Sequence, residues 1–377
     1  MLCRLIKSVM GRTGGGSMNE KNEISGWQLF FLIVQTQIGV GALSMPADIS
    51  IESGHDAWIS LVIAGVLMQI LILFYFWMMT TAGDMSYFDI TKKAFGKIAG
   101  RCLIALYSIY FIYVVIVSNI SFIKVISEWI YMDTPRWVLM ILFLLPAVYL
   151  VRGHVSTIAR FSMLVSFFLP ILVFILLFVY TQPEFLYLLP VGGEGIENIL
   201  KGLRPALFAL LGFEAFLYFS SYVKKDRKKE LKKATYATLF VFIFYLFLII
   251  TTQVFFYVDE IKIIPYPVLY IMKALSFVIV DRVDLLFLTF WMVIAATSLM
   301  NYLFISSQAV RDVFLLKDHS NAVVIIALLV LFISSIPTTK TDVKEWTNVL
   351  LYLSVVFTIF LPFITFILFR LRRRIEK

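Results

Sequence analysis

Ile38-Gly-Val-Gly-Ala-Leu-Ser-Met-Pro46 interrupts the first long apolar stretch of the chain, with Gly39 and Gly41 two residues apart and Pro46 five residues further on. A helix in lipid cannot leave backbone N–H and C=O groups unpaired. Glycine and proline at membrane depth therefore imply non-helical backbone enclosed by protein, where the freed groups can hold a polar ligand. A second interruption, Leu211-Gly212-Phe213-Glu214, falls in the sixth apolar segment. Two broken helices at corresponding positions of two five-helix halves point to a transporter-type binding site near the bilayer midplane.

Composition sets the class around these breaks. Hydrophobic residues make up 61% and charged residues 15% of the 377 positions, and the apolar runs approach or exceed the roughly 20 residues that cross a bilayer as a helix. The chain reads as an all-α polytopic membrane protein of about ten transmembrane helices, at about 25–49, 57–81, 102–130, 137–151, 158–180, 203–222, 234–258, 284–310, 320–337 and 346–369. Residues 18–377 form a single transmembrane domain, with one repeat over about 25–180 and a second over about 203–369. The apolar stretch 265–280 reads as a membrane-edge helix, since Pro265 and Pro267 open it and Lys273 lies inside it. Residues 1–17, ending Gly14-Gly-Gly-Ser17 before Met18, differ in composition and read as a non-native or upstream extension.

A net charge of +9 would suggest nucleic acid for a soluble protein, but here the basic residues alternate with the spans. Lys92, Lys93, Lys97 and Arg101 follow span two; Arg152 and Arg160 flank the start of span five; Lys224 to Lys233 follow span six. Arg311 and Lys317 follow span eight, and Arg370 to Arg374 and Lys377 close the chain, whereas the opposite loops are poor in basic residues. This is the positive-inside pattern, and it excludes nucleic acid and puts both termini in the cytoplasm. Cys3 and Cys102 cannot form a disulfide framework.

The chemistry expected at the breaks is electrostatic. Where span one unwinds at Gly39-Val40-Gly41, the following half-helix offers its first N–H groups and the positive end of its dipole to a carboxylate. At the second break the half-helix ending around Phe208, Ala209 and Leu211, before Gly212, presents unpaired carbonyls to an ammonium group. Thr36 and Gln37 are further candidate lining residues, and Glu214 is a carboxylate at membrane depth, costly there unless it serves a function. The alternative is that Gly39 and Gly41 only permit close helix packing.

Gly39-x-Gly41-x-x-x-x-Pro46 and Phe208-Ala-Leu-Leu-Gly-Phe-Glu214 resemble the amino acid, polyamine and organocation (APC) transporter superfamily. That resemblance implies two inverted five-helix repeats with helices one and six broken. Within the superfamily the chain is similar to the B subunit of spore nutrient germinant receptors. The likeness rests on Leu189-Pro-Val-Gly-Gly-Glu-Gly195, on Asp281-Arg282 before Leu286 to Trp291, and on the arginine-rich tail after Leu361-Pro362. The resemblance implies a spore inner membrane, a larger A subunit and a C lipoprotein as partners, and a small nutrient ligand, an amino acid. An amino-acid permease and an ion- or water-conducting component are the alternatives.

In sodium-coupled relatives of this fold a vicinal hydroxyl pair in span eight supplies oxygens to a sodium ion, which makes Thr297 and Ser298 a candidate sodium site. The alternative is that both hydroxyls bond carbonyls of their own preceding turn. Where many proton-coupled members place a lysine near the start of span five, this chain has Arg160. His55, His154 and His319 lie on different loops without metal-site spacing, and no nucleotide-binding or hydrolase motif is present. No cofactor and no enzymatic activity are expected. Tyr110 and Tyr113 read as core packing, with a cavity-lining role as the alternative; Trp27, Trp58, Trp129 and Trp346 read as interfacial anchors.

Overall fold

The computed structural model describes residues 23–39, 41–223, 226–275, 282–336 and 340–375. The extension 1–17, Met18, Val40, Lys224, Lys225, Asp281 and Lys377 lie outside them. Among the described residues there are seventeen α-helices and no strand. The first two are the halves of span one: α1 (Gly26–Gln37), started by a Ser25–Gln28 capping box, and α2 (Gly41–Ser53). After a short turn of 3-10 helix, Gly54–Asp56, come α3 (Ala57–Ala82), the amphipathic α4 (Tyr87–Phe95) and the long α5 (Lys97–Trp129). Then follow α6 (Arg136–Val151), α7 (Val155–Val165) and α8 (Phe168–Leu176).

Span six is also split, into α9 (Gly195–Ala209) and the five-residue α10 (Ala215–Phe219). The chain continues with α11 (Arg227–Phe255), α12 (Val258–Ile263), α13 (Pro267–Ala274), α14 (Val283–Phe314) and α15 (Ser320–Ser334). Span ten comprises α16 (Lys340–Val355), a π-helical turn at Val356–Phe360 and α17 (Leu361–Ile375). The stretch 265–280, read from the sequence as a membrane-edge helix, contains α13, which ends at Ala274; residues 276–280 lie outside the described residues.

Among the described residues six helical runs are long and apolar enough to cross a membrane: Gly41–Ala82, Lys97–Trp129, Val155–Thr181, Lys228–Phe255, Val283–Phe314 and Asp342–Arg374. Gly41–Ala82 contains half of span one and all of span two, and spans four and nine are the shorter helices Arg136–Val151 and Ser320–Ser334. Length alone misses spans one and six, because each is broken in the middle.

The helices pack in two groups. In one, α11 lies along α1 and α3, and α9 along α2 and α3; in the other, α14 lies along α5, with α6 and α15 against both. The equivalent spans of the two halves therefore share a group: one, two, six and seven in the first, and three, four, eight and nine in the second. The two groups meet where α1 crosses α14. There the side chains of Leu29, Leu32 and Ile33 on α1 and of Ile294 and Leu303 on α14 have no solvent exposure, so the first break sits inside protein rather than in lipid.

Pro46 does not belong to the break, contrary to the reading from its spacing. It lies inside α2, five residues past Gly41. Without an N–H it cannot donate to the carbonyl of Ala42, so its effect falls on the first turn of the half-helix.

Candidate functional site

The two breaks touch. At the end of α1, the Gln37 side-chain amide donates to the carbonyl of Leu210 (2.8 Å), just beyond the end of α9, and to the Met68 sulfur (3.2 Å). The Gln37 carbonyl accepts from the Tyr245 hydroxyl of α11 at 2.8 Å. A carbonyl from each break is thus bonded by a side chain, as enclosed backbone requires, and the Gln37 carbonyl also accepts from the Gly39 N–H at 3.0 Å. Gly212 has φ of +115° and lies against the Gln37 backbone. The Gln37 amide oxygen is buried with no donor among the described residues.

Glu214 is 2% exposed. One carboxylate oxygen accepts from the Gly212 N–H and the other from the Tyr302 hydroxyl of α14, each at 2.8 Å. The carboxylate therefore closes the unwound turn of span six and ties it to span eight.

On the other side of span one, Ser298 donates to the Thr36 carbonyl (2.9 Å), and the single Thr297 hydroxyl hydrogen is shared between the Gln35 amide oxygen and the Ile294 carbonyl, both 2.6 Å from Oγ1. Asn301 donates to the Thr36 hydroxyl (2.9 Å) and the Leu32 carbonyl (3.2 Å). Gln35 in turn donates to Ser166 of span five at 2.9 Å. The oxygens of Gln35, Thr36, Thr297 and Ser298 are the type a hard cation takes, and each is engaged in a hydrogen bond here. Ser298 also sets the room at Gly39, where a Cβ would meet its hydroxyl at 3.1 Å.

Gly41 is different: apart from its chain neighbours and its own helix backbone, no described atom lies within 4 Å of where its Cβ would stand. Gly41, Ser44 and Asp48 follow one another at helical spacing, and Asp48 is exposed whereas Leu43, Met45, Ala47 and Ile49 are buried. Ser44 hydrogen-bonds the Asp48 carboxylate, and Lys344 of α16 and Lys124 of α5 face it. One face of α2, with Gly41 and Ser44 partly exposed and Asp48 exposed, thus stays accessible and forms a vestibule wall on the side of Lys124 and Lys344.

At the opposite end α4 is tied to α14 by ion pairs. Lys92 of α4 pairs with Asp89 (2.8 Å) and with Asp312 at the end of α14 (3.1 Å), and Arg311 pairs with Asp312. Partial burial pulls the Lys92 pKa down, but these carboxylate contacts outweigh it and hold the ammonium above its ordinary value.

Of the residues expected at the site, the structure brings Gln37 and Gly212 into contact, places Glu214 on Gly212, and sets Ser298 against Gly39. Phe208 and Leu211 line a separate cavity of about 330 Å³ between α9, α3 and α16, and Ala209 is buried at the end of α9. Tyr110 is 2% exposed and stacks on Phe357 with ring centroids 4.6 Å apart, a packing role. Gln35, Asn301, Tyr245 and Tyr302 were not among the expected residues. Polar amides inside apolar spans, as at Gln35 and Asn301, are a usable signal because each must find a partner there.

Residues 23–343 match the family model described as Spore_permease, spore germination protein. The chain belongs to the spore germination protein family. Among its relatives in that family, spore germination protein A2 of Bacillus subtilis (strain 168) is 24% identical over 364 residues, covering 94% of this chain and 97% of the relative. Spore germination protein GerQB of Bacillus cereus is 27% identical over 273 residues, 71% of this chain and 74% of the relative. In fold, this member of the family is similar to MhsT in complex with L-phenylalanine, with a TM-score of 0.64 at 14% identity over 95% of this chain and 89% of MhsT. It is also similar to the nucleobase-cation-symport-1 family transporter MHP1, with a TM-score of 0.60 at 12% identity over 91% of this chain and 78% of MHP1. This member of the family is therefore an integral membrane protein that shares its fold with these transporters.

Proposed function

We propose that this chain is the nutrient-sensing B subunit of a spore germinant receptor and binds an amino acid where its two broken helices meet. The observation that carries this reading is the junction itself: Gln37 bonded to Leu210 and packed on Gly212, below a face of α2 that opens into a vestibule at Gly41. The first N–H groups of α2 would take the ligand carboxylate at Gly39, Val40 and Gly41. The buried, donor-free oxygen of Gln37, with the chain ends at Phe208, Ala209, Leu211 and Gly212 and the carboxylate of Glu214, would take the ammonium group. The amino-acid class is supported by the fold neighbour MhsT, described in complex with L-phenylalanine. The receptor role is supported by relatives named for spore germination.

On this reading the chain sits in the spore inner membrane with both termini cytoplasmic, beside an A subunit and a C lipoprotein. Its two repeats cover about 25–180 and 203–369. Thr297 and Ser298 would hold sodium if their hydroxyl hydrogens turned away from Gln35 and Thr36. Binding acts on the receptor only through different affinities for two states of the cavity. The test is direct binding of an amino-acid panel to the purified chain in lipid, together with uptake into vesicles. Saturable binding of one or a few amino acids without accumulation is expected. Robust accumulation by this chain alone would replace the sensor with a permease, and absence of binding across the panel would overturn the amino-acid reading.

A further inference from the structure

The 330 Å³ cavity beside α9 is set apart from the vestibule. Its walls come from α3 (Met68, Leu71), from α9 and the break (Leu203, Leu207), and from span ten (Leu351, Val355). The surface around it is of the kind that faces acyl chains: Leu200, Tyr352 and Val355 are all exposed. One charged side chain, Arg204, lines this apolar groove. Arg204 is exposed and lies on α9 at the start of span six as read from the sequence, about 203–222. Its guanidinium carbon stands 4.7 Å from the centroid of the Tyr352 ring, and among the described residues no carboxylate pairs with it. At that edge of the apolar layer, with the Tyr352 ring face beside it, the guanidinium is placed to take an anionic headgroup.

We propose that this groove binds an anionic phospholipid, with one acyl chain along Met68, Leu207 and Leu351 and the phosphate on Arg204. The guanidinium suits a phosphate because its fork presents two parallel donors to two oxygens. The deep wall of the groove is functional backbone: Leu210, Leu211 and Phe213 belong to the span-six break, and Thr358 and Ile359 to the π-helical turn. A lipid seated there braces the carbonyl that Gln37 uses. This site is independent of the amino-acid reading, and its test does not use a nutrient.

The experiment is native mass spectrometry of the full chain released from vesicles containing equal amounts of phosphatidylglycerol and phosphatidylcholine. The wild type is expected to retain phosphatidylglycerol over phosphatidylcholine by about fivefold or more, the ratio for roughly 1 kcal/mol per basic residue near anionic lipid. Arg204→Gln should bring the ratio close to one, and Arg204→Lys should keep part of it. Leu207→Trp fills the groove and should reduce retention of both lipids. Equal retention of the two lipids by the wild type, or an unchanged ratio in Arg204→Gln, overturns the proposal. If Arg204→Gln does not fold, unchanged retention in Leu207→Trp does the same. A photo-reactive side chain at Leu203 in the assembled receptor should cross-link to lipid, and a cross-link to a protein chain instead would assign the groove to a subunit contact.

Discussion

Gly212 sits against Gln37 so closely that a Cβ on it would fall 2.7 Å from the Gln37 Cα and 2.8 Å from its nitrogen. The two interruptions, far apart in sequence, are therefore one structural unit, and the smallest side chain is a condition of it. Gly212 also has φ of +115°, a conformation open to glycine and strained for other residues. Gly212→Ala is expected to destabilise the fold by about 2 kcal/mol or more, combining that strain with steric overlap. Thermal unfolding in detergent measures it, and an unchanged transition would show that the breaks can separate without cost.

Gly41 predicts the opposite outcome. Since nothing occupies the space beside it, Gly41→Leu should fold and accumulate like the wild type while projecting a side chain where a ligand would approach. Nutrient response should be lost at unchanged abundance. A normal dose response would remove the first break from the binding site.

Glu214→Gln keeps the shape of the side chain but removes its charge, so both bonds lose charge assistance and whichever of the Gly212 N–H and the Tyr302 hydroxyl meets the amide nitrogen loses its acceptor. Such bonds contribute about 1.5 to 3 kcal/mol, a roughly ten- to hundredfold shift in half-maximal nutrient concentration if they hold the responsive state. Tyr302→Phe should shift the response in the same direction, and the double variant should fall short of the sum because the two groups share one contact. Additive effects would mean that the pair does not act as a unit.

Asp56 has no solvent exposure, and it accepts from the N–H groups of Gly192 (2.6 Å) and Glu194 (3.1 Å). Asp56→Ala leaves two backbone donors of the loop before α9 without this partner, at about 1 to 3 kcal/mol for each that stays buried. Faster proteolytic cleavage between residues 189 and 195 is the expected result. Wild-type cleavage rates would show that the loop is held by other contacts.

The breaks were legible in the sequence because glycine in an apolar run is a local signal, and so was the membrane class. Pro46 was misplaced because its effect depends on where the half-helix begins, and that is set by Gly41. Tyr302 and Tyr245 were not legible at all. With 18 tyrosines in the chain, nothing local separates the two whose hydroxyls reach Glu214 and Gln37 from those that only pack. Their roles arise from helix crossings between spans one, six, seven and eight, far apart in sequence.

The Asp56 contact also has a mechanical meaning. Ser60 of α3 donates to the Ile199 carbonyl of α9 at 2.8 Å, and Gly202 of α9 lies directly against the hydroxyls of Ser53 and Ser60. The far half of span one, the corner after it and the near half of span six are thus clamped together like the two blades of one hinge plate. Neither half-helix can tilt alone. Any displacement of α2 by whatever enters the vestibule is carried to α9 by the same clamp, so the two breaks flex as a single joint.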